Sequence, residues 1–168
     1  MQYRDKPELK FEELNLVELE KVFKSLGRVH YFNISGGEPF SRRDLPQIIA
    51  LAVKHLKPKV VHTPTNALYG QRVVDMTREI LQSLPSDVEF TIKPSYDGVG
   101  AEHDRVRGIP GNYAKLLLVF NGLMELKKEF PNLSVGLGTV ISKNNINSIQ
   151  EIFDNAKDNL KPDSYINE

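Results

Sequence analysis

Not one of the 168 residues is a cysteine. Disulfides, thiolate zinc sites and cysteine-ligated iron–sulfur clusters are thereby excluded from within this chain. An excess of charge of one sign is also lacking. Lys plus Arg and Asp plus Glu number 22 each, so no global field favours a nucleic acid or an anionic membrane as partner. No run approaches the roughly 18 apolar residues of a membrane-spanning helix. The first 25 residues are charged and hold no apolar core of a secretory leader, so the reading is a cytoplasmic protein. Histidine is sparse: His30, His55, His62 and His103 include no i,i+4 pair, and no metal site is expected. His30 and His62 lie in apolar runs and read as strand residues. The sequons at Asn33 and Asn132 read as accidental.

What remains is an ordinary globular composition, 40% apolar and 26% charged, at the length of a single domain. Helical and strand patterns alternate throughout. Asn15 and Glu18 have capping-box spacing before a helix whose face is Leu16, Leu19, Val22, Phe23 and Leu26, with Gly27 ending it. Strands are predicted at Val29–Ser35, Val60–Thr63, Val88–Ser95, Leu133–Ile141 and from Ser164 onward. Between them, Asp44 is placed to cap a second helix with Pro46 in its first turn. A third helix runs from Val73 to Leu84. Tyr113, Leu116, Leu117, Phe120, Leu123 and Met124 give the clearest helical period, and Ile146 to Leu160 the last. The stretch after Ser95 to Gly111 reads as a long polar loop.

Strands separated by helices of this length pair in parallel, in a doubly wound sheet or in part of a barrel. Either way, ligands sit beyond the C-terminal ends of the strands. The loops at 36–43, 64–70, 95–111 and 142–146 are therefore the candidate site.

Those loops carry suggestive residues, each with a plainer reading beside it. Gly36, Gly37, Glu38 and Pro39 form a turn whose backbone a ligand can approach closely and whose carboxylate can accept from an ammonium group, or else a tight strand-to-helix turn with a surface Glu. Thr65 and Asn66 end the next strand, where an Asn can also cap a helix. Ser95 and Asp97 follow the third strand, in what can equally be an ordinary Asp-Gly turn. His103 and Asp104 read as loop-ordering groups. Gly136 and Gly138 lie within a strand, so close packing is favoured over a dinucleotide turn. Asn144 and Asn145 precede the last helix, Asn145 being an equal contender for its cap.

Taken in order, Ser35-Gly36-Gly37-Glu38-Pro39-Phe40 resembles the GGEP motif of radical S-adenosylmethionine enzymes, and Arg42-Arg43-Asp44-Leu45 resembles its usual continuation. Thr65-Asn66-Ala67 is similar to the family's Thr-Asn-Gly, with Ala67 in place of the glycine. Ser95-Tyr96-Asp97-Gly98 resembles its Ser-x-Asp-Gly signature. Glu102 to Tyr113 resembles the His-Asp, Arg-Gly, Pro-Gly-x-aromatic series of members with auxiliary-cluster (SPASM-type) tails. Thr139 to Ser142, with Asn144, resembles the fifth strand and its asparagine.

The resemblance implies one partial domain over residues 1–168, an α/β fold: a partial parallel (βα)6 TIM-like barrel holding strands two to six and lacking its first strand and last helix. Met1 to Glu13 resembles the segment that follows the family's cysteine motif. The implied cofactor is S-adenosylmethionine, with Gly36, Gly37, Glu38, Pro39, Thr65, Asn66, Ser95, Asp97 and Asn144 as its binding residues. A 4Fe-4S cluster is expected in full-length relatives alone. No residue is assigned as catalytic and none as a metal ligand.

Whether this chain is an enzyme by itself stays open. The implied reading is a fragment of an oxidoreductase-type radical enzyme, inactive alone, acting in full length on an unknown substrate, with peptide or cofactor maturation as a candidate reaction class. The alternatives are a cluster-free pseudoenzyme that binds a ligand or partner, and an unrelated α/β lyase or hydrolase. No nucleic acid or membrane partner is expected. Self-association through the open apolar edge of Val29–Ser35 is expected, unless residues 1–10 fold back over it.

Overall fold

A computed structural model describes residues 13–168; the expectations for Met1 to Glu13 and for residues 1–10 fall almost wholly outside them. The element order is α1 (Leu16–Leu26), β1 (Tyr31–Asn33), α2 (Leu45–Leu56), β2 (Val60–Thr65), α3 (Gln71–Ser83), β3 (Glu89–Pro94), α4 (Ala101–Arg107), α5 (Asn112–Lys127), β4 (Leu133–Thr139), α6 (Ile149–Asn155) and β5 (Ser164–Asn167). The strands form one five-stranded sheet in the order β1-β2-β3-β4-β5, and every adjacent pair is parallel.

Side chains alternate along the strands, and that alternation gives the sheet two unlike faces. Val61, Phe90, Ile92, Leu133, Val135 and Leu137 are buried together with the inward faces of α2, α3, α5 and α6. Phe32 and Ile34 pack with Phe23 of α1 and with Ile48, Ala52 and Leu56 of α2. The intervening residues, Asn33, His62, Lys93, Ser95 and Gly138, line a cavity on the other side. Among the described residues the apolar packing thus lies on one face, while the opposite face is polar and partly open.

Several helix ends follow from sequence. Asn15 Oδ1 accepts from the amides of Val17 and Glu18, and Glu18 Oε2 accepts from the Asn15 amide, completing the capping box. Gly27 closes α1 at φ 71°. Asp44 departs from expectation. Its carboxylate makes no cap and instead takes Arg42 in a two-point pair, Nε to Oδ1 at 3.0 Å and Nη2 to Oδ2 at 2.8 Å. Arg42 also donates to the Leu14 carbonyl, tying the start of the described chain to the loop after β1.

Other boundaries moved. The predicted strand over Val29–Ser35 shrinks to three paired residues, and His30 is exposed just before it. Val22 and Leu26 turn outward, at 40% and 62% exposure, so the buried face of α1 is narrower than its spacing implies. The polar stretch after Ser95 is no open loop, since it contains α4. Glycine explains two close approaches. A Cβ at Gly122 in α5 would stand 2.7 Å from Val74 Cγ2 of α3, so this residue sets how near the two helices lie. A Cβ at Gly136 would meet Ser164 Oγ at 2.6 Å, in accord with the close packing expected there.

Candidate functional site

The turn after β1 is held from below. Pro39 and Phe40 are buried, and a phenylalanine fully withdrawn from water contributes about 1.5–3 kcal/mol. Above that anchor, Gly36 sits at φ 138°, a backbone conformation that favours glycine, and no heavy atom lies within 4 Å of where its Cβ would be. The backbone here is open to a ligand.

Glu38 is less open. Its Oε1 accepts from the Phe40 amide at 3.2 Å and from Thr65 Oγ1 at 3.0 Å, and its Oε2 accepts from the Asn66 amide at 2.6 Å. Burial pushes its carboxyl above the ordinary range, and these same three donors oppose that rise. A carboxylate offers about four acceptor directions, so one remains on Oε2. The residue expected to receive a ligand's ammonium group thus first ties the end of β1 to the end of β2.

The β2 loop is ordered in turn. Thr65 Oγ1 accepts from the Ala67 amide, and Asn66 Oδ1 accepts from the Leu68 amide, a local turn within the loop. Ala67 is fully buried at φ 59°, the left-handed conformation that glycine adopts without strain.

Both oxygens of Asp97 are engaged by the protein. Oδ1 accepts from the Val140 amide at 2.8 Å and Oδ2 accepts from Arg107 Nη1 at 3.0 Å, with the side chain 4% exposed. Its amide donates to His103 Nδ1. An amide can only donate, so the proton of His103 is on Nε2, which donates to Asn112 Oδ1; Asn112 Nδ2 then donates to the Asn66 carbonyl at 3.0 Å. Burial holds the His103 imidazole below its ordinary pKa. Asp104 accepts from the amides of Gly111 and Tyr113, so it caps α5 from the preceding helix. These bonds give His103 and Asp104 the loop-ordering role read in the sequence.

Of the two asparagines after β4, the buried one is Asn145, not Asn144. Asn145 accepts from the Ser142 amide and hydroxyl and donates to the carbonyls of Asp97 and Val140. It makes no side-chain cap to the following helix. Asn144 is exposed, and its carbonyl accepts from Arg105.

Two cavities meet at this end of the sheet. One, of about 330 Å³, is lined by Gly36, Gly37, Glu38 and Pro39 over an apolar floor that includes Phe23, Phe32 and Ile48. The other, of about 280 Å³, lies on the polar face and is lined by Asn33, His62, Lys93, Ser95, Gly138 and Glu168 among others. Ser35 lines both. Ser95 is the one residue of the expected binding set in the polar cavity, while Thr65, Asn66, Asp97 and Asn144 line neither. Sequence reasoning missed Asn33, His62 and Lys93. Period-two spacing could have found them, since each lies two residues before Ser35, Pro64 or Ser95 on the same strand face. Among the described residues, no group of three or more His, Asp or Glu could hold a metal ion. Nor is any helix there long and apolar enough to cross a membrane.

Comparison with known proteins adds two relatives. The chain is 32% identical over 120 residues to the Fe-coproporphyrin III synthase of Methanosarcina barkeri, a match covering 71% of this chain and 27% of the relative. It is 29% identical over 147 residues to the PqqA peptide cyclase of Rhodopseudomonas palustris, covering 86% of this chain and 36% of that relative. No protein-family model matches. The matched stretches thus span about a quarter to a third of the curated relatives' length. Both relatives are radical S-adenosylmethionine enzymes, and the chain resembles that superfamily.

Proposed function

We propose that this chain is the S-adenosylmethionine-binding part of a radical enzyme core, a partial (βα)6 barrel contributing strands two to six. The observation that carries the reading is the open Gly36 backbone in the turn after β1, lining a cavity that shares Ser35 with a second cavity holding Ser95 from the end of β3. The sheet supports it. A doubly wound sheet reverses strand order at a switch point and carries helices on both faces. Here the order runs 1-2-3-4-5 and the apolar packing is on one face, as in an arc of a barrel.

The residues present fit the cofactor's polar end. Backbone at Gly36 and Gly37, with the remaining acceptor direction of Glu38, would hold the methionyl ammonium group, and Ser95 would donate to carboxylate or ribose. Thr65, Asn66 and Asp97 act in this reading by holding the loops, and Asn144 by its place in the loop after β4. They do not fit a 4Fe-4S cluster, because the sequence offers no thiolate. No step through a cluster is derived, and the chain alone is proposed to be catalytically silent, its full-length counterpart drawing cysteines from sequence outside these residues. The two relatives' names point to a coproporphyrin and to a peptide; these differ too much to name a substrate here. A cytoplasmic setting without nucleic acid or membrane partners accords with the balanced charge.

The test is a titration of the chain with S-adenosylmethionine, followed by backbone amide spectra. Shifts should appear at Ser35, Gly36, Gly37 and Ser95 with a Kd of about 1 mM or weaker, equivalent to no more than about 4 kcal/mol. Micromolar affinity would mean that iron chelation matters little to binding, and shifts confined to other regions would overturn the assignment. A second reading, a cluster-free binding module, is favoured by the missing cysteines. In-frame cysteine codons upstream of Met1 in the encoding DNA would count against it.

A further inference from the structure

The polar cavity contains one lysine among its lining residues, and the sheet is built around it. Lys93 of β3 lies across β4, where a Cβ at Gly138 would stand 3.1 Å from its Cδ and Cε, and one at Gly136 would stand 3.7 Å from its Cγ. A side chain at Gly138 would crowd the lysine stem, whereas one at Gly136 would only touch it. Its side chain is only 15% exposed, yet the Nζ reaches the cavity and donates to Glu168 Oε1 at 2.9 Å. The partner is unlike it, since the Glu168 side chain is 64% exposed. A mostly covered cation paired with a solvent-facing carboxylate is an arrangement in which the carboxylate can be exchanged. Side-chain entropy and solvation favour releasing the exposed partner. Asn33 lies beside them on the same face, its Oδ1 accepting from His62 Nδ1, which leaves its amide N–H groups as donors.

We propose that Lys93 anchors a carboxylate of the substrate in this cavity, the incoming carboxylate taking the place of Glu168 on Nζ with Asn33 as the flanking donor. The substrate class is a molecule bearing an unblocked side-chain or chain-end carboxylate. Calling this ligand the substrate rests on the cofactor reading above, but the anion site itself does not.

Amide spectra of the chain titrated with N-acetylglutamate test the proposal, with N-acetylglutamine as the neutral counterpart and inorganic phosphate as the competing anion. The acid should shift Gly138, Thr139 and Ser95, and the amide should not. Lys93→Met should abolish the shifts while keeping a dispersed native spectrum. Should that variant unfold, Glu168→Gln carries the test: removing the internal competitor should tighten acetylglutamate binding about two- to fivefold. Unchanged or weaker binding in Glu168→Gln means that the ion pair is structural only and overturns the proposal. Equal shifts with the neutral amide, or equal affinity for phosphate, overturn the carboxylate assignment. Failure of the cofactor reading would register separately, as missing S-adenosylmethionine shifts at Gly36 and Gly37.

Discussion

Asn112 joins two loops that are distant in sequence: its Nδ2 donates to the main-chain oxygen of Asn66 at 3.0 Å, while its Oδ1 accepts from His103. The bond from the Asp97 amide to His103 Nδ1, beside it, forms only if His103 is neutral. Burial lowers the His103 pKa, so the folded chain resists a proton that the unfolded chain accepts near pH 6.5. This stability is present above that pH and lost below it. His62 is lowered too, by burial and then by Lys93, and adds in the same direction. Urea unfolding should therefore give lower stability at about pH 5.5 than at about pH 7.5. His103→Gln should be less stable overall, by about 1–3 kcal/mol, but with a shallower pH slope. A chain that becomes more stable on acidification across this window would refute the neutral tautomer.

Glu38 should prove structural before it proves anything else. Glu38→Gln places an amide N–H2 against either the Phe40 and Thr65 donors or the Asn66 amide, so at least one buried polar group is left unpaired. A loss of about 1–3 kcal/mol in unfolding free energy is expected. Thr65→Val removes the hydroxyl that helps hold the carboxylate ionised, so the Glu38 carboxyl should titrate higher in that variant, as read by its side-chain carbon shift. No change in that titration would mean the hydroxyl does not donate to it.

At Ala67, two opposing effects nearly cancel. Ala67→Gly relieves left-handed backbone strain of about 1–2 kcal/mol. It also removes a buried methyl worth about 0.8 kcal/mol and adds unfolded-state freedom costing about 0.5–1 kcal/mol. The variant should lie within about 1 kcal/mol of the parent. Ala67→Val, β-branched at φ 59° in a fully buried site, should lose more than about 2 kcal/mol in thermal or denaturant unfolding. A neutral valine would place this residue outside the left-handed region.

Strand β1 pairs with β2 alone among the described strands, and Tyr31 on it is 53% exposed. We propose that this edge self-associates, though weakly, because three residues offer a short template and short edges are a common protection. Light scattering at high concentration should report a mass above 19.1 kDa, reduced by Tyr31→Lys. A monodisperse monomer at every concentration would exclude the contact.

What could be read from the sequence was what local periodicity dictates. The capping box at Asn15, the α5 face from Leu116 to Leu123 and the parallel alternation all follow from spacing within one element. Helix α4 could not be read, because Ala101–Arg107 is short and highly charged and is held by tertiary bonds through His103 and Asp104. Glu38 was placed in the turn after the first strand, but two of its three donors come from a loop about 28 residues away, and no local pattern encodes them. The Lys93 cavity was missed for another reason: strands were sought by their apolar residues, and the polar alternates at Asn33, His62 and Lys93 form the second face.

The spacing of paired strands has a bearing on how this chain folds. Partners along the sheet are 29 residues apart at β1–β2 and β2–β3, and 28 at β4–β5. At β3–β4 the separation is 43, the extra length holding α4 and the His103 clasp. Loop-closure entropy grows only with the logarithm of length, so that insert costs the chain about 0.4 kcal/mol. Each strand can dock on its predecessor as soon as one helix has formed between them, and the lengthened third step should slow that sequence little. The segment between β3 and β4 is where such a sheet can lengthen at small entropic cost, and in this chain the added length ties three strand-end loops together.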